Sequence, residues 1–359
     1  LAAGYGNRGS LLVSGSEDKT SRLWDTRSGK AICGIVGFEE EVVAADFVGD
    51  SSVAVASGAS LFIYDHRYIS TVHSSQSCRT VYANRCDNGD GEIQAISTRG
   101  DFVAFVDDNG CLSVFDITDS EAFSEKSARL SGNDDGAHNM AVACVCFHPE
   151  EPVIATGAFD RQVRVWDVAS ERVIRSSVAG LAAVSAQHVG EESSQGAVAT
   201  NMVNPPFVYA LDFVPNYSDA DGESNTEEEE GREKWMVVSG HADGRIMCTG
   251  AKSTAVCWTG CHSYSITALR FMRSHPEVLV TAGLDRMIKL WNSDNIISPD
   301  TVDNDNGNDN DDTAAVARDS LPLLAHVDLA AKPDTLATSE EAPLLYTDEN
   351  NSVVAFVAM

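Results

Sequence analysis

SGSEDKTSRLWDTRSGK, residues 14–30, shares its internal spacing with TGAFDRQVRVWDVASER at 156–172 and TAGLDRMIKLWNSDN at 281–295. In each, a hydroxyl residue stands four positions before an Asp and the Asp six before a Trp: Ser14, Asp18, Trp24; Thr156, Asp160, Trp166; Thr281, Asp285, Trp291. Two copies extend upstream in register, with His138 nine residues before Phe147 and His262 nine before Phe271. A motif that returns with fixed internal spacing is a structural unit before it is anything else.

Weaker copies fall between these anchors. One puts Tyr64 in the Trp place and Phe38 in the His place; another ends on Phe115-Asp116. A third opens on FVYALDF (207–213) and keeps Ser239 and Asp243, with Thr249 in the Trp place. The last, from LPLLAHVDLA to the end, keeps the strand pattern and little of the signature, which brings the count to seven. Each copy reads as three or four short alternating strands between turn residues such as Asp-Gly, Asn-Gly and Asp-Arg. One such sheet cannot bury both faces, so several must stack around an axis.

The spacing of His, Ser or Thr, Asp and Trp resembles the WD-repeat family. That resemblance implies an all-β fold, a seven-bladed β-propeller spanning 1–359 as one domain. It also implies that His138, Thr156, Asp160 and Trp166, and likewise His262, Thr281, Asp285 and Trp291, form buried hydrogen-bond chains, with Ser14, Asp18 and Trp24 the counterpart in the first copy. The chain begins at Leu1 inside an innermost strand, and the last copy ends at Met359 without an outermost one. The expectation is that upstream residues supply the missing strands of the closing blade.

Composition limits the partners. The 359 residues are 43% hydrophobic, enough for a sizeable core, and carry a formal charge of −29. That charge disfavours direct contact with nucleic acid or an anionic membrane and favours basic proteins. Nine cysteines in no framework spacing suit a reducing, intracellular compartment, nuclear or cytoplasmic. No apolar run reaches the roughly 20 residues of a membrane span, so a soluble protein is expected. Two acidic insertions, at about 216–234 and 299–319, read as solvated and disordered. Residues 216–233 carry −7 and 299–319 carry −6.

His138, Thr156 and Asp160 are the residue types of a hydrolytic triad. Their recurrence as His262, Thr281 and Asp285 argues for architecture, because an enzyme needs one such site and a fold needs one per blade. Cys144, Cys146 and His148 alternate on one strand and would share a face, but no fourth ligand stands at suitable spacing. CWTGCH at 257–262 is a weaker candidate, since His262 already has its role. No phosphate loop or metalloprotease motif is present, so no catalytic residue, cofactor or metal is expected.

One feature exceeds architecture. Trp24-Asp25-Thr26-Arg27 is followed one copy later by Tyr64-Asp65-His66-Arg67, and Asp-x-Arg closes the third strand in none of the other five copies. Such an Arg emerges on a rim, where its planar guanidinium offers paired hydrogen bonds to a carboxylate or carbonyls. The pair resembles the double Trp-Asp-x-Arg box of WD-repeat substrate receptors, which dock through it on the adaptor subunit of cullin-4 ubiquitin ligases. The resemblance implies adaptor binding through Trp24, Asp25, Arg27, Tyr64, Asp65 and Arg67, a second, unidentified target, and a monomeric subunit within a larger complex. The rival reading is a scaffold or chaperone that holds basic proteins such as histones on its acidic surface.

Overall fold

The second strands of blades two and four are buried on both sides, and their composition says why. Ser52–Ser57 (SVAVAS) and Val153–Ala158 (VIATGA) are small or β-branched, and every residue in them is buried. That is the pattern of a strand covered on both faces. The outer strand Arg172–Val178 instead alternates exposed and half-buried residues, as a solvent-facing edge does.

The computed structural model describes residues 2–6, 10–68, 72–78, 80–83, 85–86, 89–118, 128–129, 138–178, 205–215, 235–250, 256–297, 316–318, 321–338, 344–348 and 353–356. Their strands build seven sheets of three to five strands, plus a two-stranded ribbon of Arg85–Cys86 with Gly89–Asp90. The innermost strands of blades one to seven are Ala2–Gly6, Val42–Val48, Ile93–Arg99, Val142–Phe147, Val208–Phe213, Ile266–Phe271 and Pro333–Ala337. Each lies against the next, and Pro333–Ala337 lies back against Ala2–Gly6. The ring is closed, and the fold is the seven-bladed propeller of the sequence reading.

The apolar core is divided into wedges between neighbouring blades. Ala54, Leu61 and Ile63 of blade two pack with Val103, Phe105 and Phe115 of blade three. Val153, Ala155 and Val165 of blade four pack with Leu211, Phe213 and Val237 of blade five. Around the axis, polar bonds join consecutive blades: Thr98 Oγ1 donates to Asp46 Oδ2 at 3.0 Å, and Phe271 N to Asp212 Oδ2 at 2.9 Å.

Turn chemistry decides where the signature Asp stands. Between the second and third strands, Lys19, Arg161 and Arg286 have φ of 63°, 67° and 63°, the left-handed region that most side chains avoid. Each follows an Asp whose carboxylate accepts the amide two residues on: Thr20 N to Asp18 at 3.0 Å, Gln162 N to Asp160 at 3.0 Å, Met287 N to Asp285 at 3.2 Å. The side chain therefore stabilises the turn whatever else it bonds.

Two faces result. The turns between second and third strands meet the entries to the innermost strands, as in Phe159 N to Ala141 O, Ala242 N to Phe207 O and Leu284 N to Ser265 O; this is the upper rim. The turns between first and second strands meet those between third and fourth, as in Thr26 N to Ser10 O, His66 N to Ser51 O and Ile117 N to Asp101 O; this is the lower rim.

One correction concerns the insertions. Residues 216–234 and 299–315 lie outside the described residues, but Val316–Arg318, assigned above to the second acidic insertion, is a strand. It pairs in parallel with Val256–Trp258 at the outer edge of blade five before the chain returns to blade six. Val72–Ser74 does the same for Lys30–Val36 of blade one, on a detour out of blade two. Ala2–Gly6 pairs along its length with Leu11–Ser16, and the closing blade shows three strands among the described residues.

Candidate functional site

In blade four, His138 Nδ1 stands 3.1 and 3.0 Å from the two oxygens of Asp160, and its Nε2 is 2.8 Å from Thr156 Oγ1. Trp166 Nε1 donates to that hydroxyl at 2.9 Å. Blade six repeats the set: His262 to Asp285 at 3.0 and 2.9 Å, His262 to Thr281 at 2.7 Å, Trp291 to Thr281 at 2.8 Å. Burial lowers the proton affinity of His138. It pushes the Asp160 carboxyl up, but the bond from His138 and the backbone amides of Gln162 and Asn139 outweigh it and hold the group ionised. The hydroxyl that a hydrolase would need as nucleophile is fully buried and already accepts an indole N–H. Each set bonds within a single blade, with the His side chains almost fully buried.

Blade one departs from the expected set. Trp24 Nε1 donates to Ser14 Oγ at 2.9 Å, but Asp18 turns to Thr20, whose hydroxyl donates to it at 2.6 Å, and faces Arg22 at 3.8 Å. The place that His138 holds in blade four falls upstream of Leu1 in this copy. Blade five is rewired: His241, on the second strand itself, places Nε2 2.9 Å from Ser239 Oγ and Nδ1 3.2 Å from Pro206 O. The sequence reading passed over His241; the signal was a histidine two residues after the hydroxyl in a copy lacking both the incoming His and the Trp.

Burial pushes His241 down to about 4. Its ordinary value is near 6.5, so the unfolded chain takes up a proton that the folded state refuses. The resulting stability is fully present above about pH 6.5 and is lost as pH falls toward about 4. A loss of about 2 kcal/mol between pH 7 and pH 5 is expected from this group, read as a falling denaturant midpoint. In His241→Gln that part of the slope should vanish.

Cys144 and Cys146 do share a strand, but their surroundings oppose metal binding. Burial raises both thiols, Cys144 to about 12, which suppresses the thiolate a metal needs. Cys146 Sγ donates to Asp212 Oδ1 at 3.3 Å, while His148 Nδ1 accepts the amides of Glu150 and Glu151 at 3.1 and 2.9 Å. Among the described residues no group of three or more His, Cys, Asp or Glu side chains is placed to hold a metal ion.

The Asp-x-Arg turns close the strands Thr20–Asp25 and Ser60–Asp65 and stand on the lower rim of neighbouring blades. Asp25 Oδ1 accepts Arg27 N at 2.9 Å, and that backbone bond leads the effects holding its carboxyl below the usual range. The Arg27 guanidinium is 3.8 Å away and 83% exposed. Arg67 grips its own aspartate, Nε to Oδ1 at 2.9 Å and Nη2 to Oδ2 at 2.6 Å, and this pair holds Asp65 at about 2. Even so the Arg67 side chain is 61% exposed. The aromatic members point inward. Trp24 serves Ser14, and Tyr64, 1% exposed, donates its hydroxyl to Ser75 O at 3.1 Å. They anchor the turns, which leaves the two arginines, with Tyr68 exposed beside Arg67, as the groups a partner meets.

Residues 2–25, 134–167 and 254–292 match the family described as WD domain, G-beta repeat. Those three segments are similar to WD repeats. Curated relatives are distant. The mitotic checkpoint protein bub-3 of Caenorhabditis elegans is 26% identical over 54% of this chain and 56% of its own. A WD repeat-containing protein 53 homolog of Dictyostelium discoideum is 24% identical over 58% and 55%. Pre-mRNA-processing factor 19 homolog 2 of Arabidopsis thaliana is 22% identical over 45% and 29%. The chain thus spans about half, or less, of the relatives it matches. No described helix is long and apolar enough to cross a membrane.

Proposed function

We propose that this protein is a non-enzymatic interaction module that serves as a substrate receptor, docking through Arg27 and Arg67 on the adaptor of a cullin-4 RING ubiquitin ligase. The observation that carries this reading is the pair of exposed guanidinium groups at equivalent turns of two neighbouring blades on one rim. Asp25 and Asp65 fix the local backbone, and Asp65 holds Arg67 ready, so part of the ordering cost is met before a partner arrives. Likeness in the order of degenerate copies and insertions to WD repeat-containing protein 53 supports the same assignment.

Capture of the purified adaptor by the full chain is the test. Exposed ion pairs contribute about 0–1 kcal/mol to stability, so Arg27→Ala with Arg67→Ala should melt like the parent. Adaptor capture should disappear; capture that persists at parent level sinks the docking assignment. The second reading, a scaffold for basic proteins, is favoured by the net charge of −29. It predicts binding that weakens steeply with salt and survives loss of both arginines.

A further inference from the structure

The upper rim carries two unlike halves. Over blades four to six lies a patch of partly exposed apolar side chains. Phe159, in a turn of blade four, packs against Phe207 and Tyr209 at the entry to blade five, ring centroids 5.4 Å apart in both pairs. Met140 sits next to Ala141, whose carbonyl accepts Phe159 N, and is 48% exposed. The patch continues through Ala242, which bonds Phe207 O and accepts the Ser265 hydroxyl at 2.7 Å, to Tyr264 and Leu284, 63% and 39% exposed. Ala242 is buried, and none of the seven belongs to a tetrad.

Over blades one to three the same rim is acidic. Glu17 and Asp18 occupy the turn of blade one, Glu39, Glu40 and Glu41 the entry to blade two, and Glu92 and Asp108 the entry and turn of blade three. All seven are exposed. Two cations are interleaved among them: Lys19, which donates to Glu39 O at 2.6 Å, and Arg22, 3.8 Å from Asp18. The halves adjoin: Asp108 N bonds Glu92 O, and Gly110, two residues on, accepts His138 N beside Met140.

From this juxtaposition we infer that the upper rim docks a linear segment of a partner protein that joins a large apolar or aromatic side chain to several lysines or arginines. The apolar residue seats against Phe159, Tyr209, Met140 and Tyr264, where burial supplies the affinity. The cations lie over Glu39 to Glu41, Glu92 and Asp108, which steer the approach and fix its direction. A segment without cations leaves the carboxylates over blades one to three unmatched. The inference rests on the interaction-module reading above and is independent of the ligase assignment, since the docking arginines are on the opposite rim.

The test uses the full chain and a library of short synthetic peptides with Leu, Phe or Gly at one position and Lys, Arg, Ser or Glu elsewhere. Retained peptides should combine the apolar residue with Lys or Arg. For a retained peptide, Met140→Ala with Tyr264→Ala, or separately Glu40→Lys with Glu92→Lys, should weaken binding about tenfold or more. Those positions are exposed, so a matching thermal melt shows that each variant is folded. Arg27→Ala with Arg67→Ala should leave peptide affinity unchanged, which separates failure here from failure of adaptor docking. Selection of peptides lacking either chemistry, no selection at all, or affinity indifferent to both pairs of substitutions would overturn the inference.

Discussion

Trp166→Ala should cost about 3–5 kcal/mol of stability, the range for removing a large aromatic from a packed interior. The side chain has no exposed surface and packs in one cluster with Val142, Phe147 and Ile154. Its indole also ends the chain from Asp160 through His138 to Thr156, so truncation leaves a cavity and takes a donor from a buried hydroxyl. Denaturant melts monitored by far-UV circular dichroism would read the loss. Trp24→Ala should cost less, because Trp24 is only half-buried. Equal costs would show that the completed tetrad adds nothing to packing.

Gly110→Ala is the second large effect, about 3 kcal/mol, more than removing glycine from a left-handed position costs by itself. Gly110 has φ +87°, and a Cβ there would stand 2.2 Å from the carbonyl oxygen of His138. The carbonyl cannot step aside freely, because the amide of the same histidine is bonded to Gly110 O at 3.1 Å. The added methyl therefore displaces the residue that opens the blade-four tetrad. Gly29 supplies the control: φ is +65° but nothing lies within 4 Å of its Cβ position, so Gly29→Ala should cost only about 1 kcal/mol. Similar melts for the two variants would mean that the His138 turn is more pliant than its geometry implies.

The propeller and its blade count were legible because the features that specify them are local. The Asp that caps a left-handed turn, the hydroxyl four residues before it and the Trp six after it are all fixed by one hairpin. Asp46 and Asp212 were not legible, because their partners Thr98 and Phe271 are more than fifty residues away and the pairing exists only once neighbouring blades are docked. Tyr64 was legible as a Trp replacement but not as a buried one, since its partner Ser75 lies on the detour toward blade one. Arg27 and Arg67 were legible as a spacing; that Arg67 is clasped by its own aspartate while Arg27 is nearly loose is a matter of rotamers, which no spacing encodes.

The strands Val72–Ser74 and Val316–Arg318 have a consequence for how this ring can be opened. A circular permutant cut at an ordinary seam separates two sheets that meet through side chains and isolated backbone bonds, such as His138 N to Gly110 O and Gly49 N to Gly100 O. At the seams between blades one and two and between blades five and six, the chain has looped back and hydrogen-bonded into the sheet behind it. Those two joints are sewn with backbone, so mechanical unzipping of the barrel should begin elsewhere on its circumference and each sewn pair should come apart as one piece.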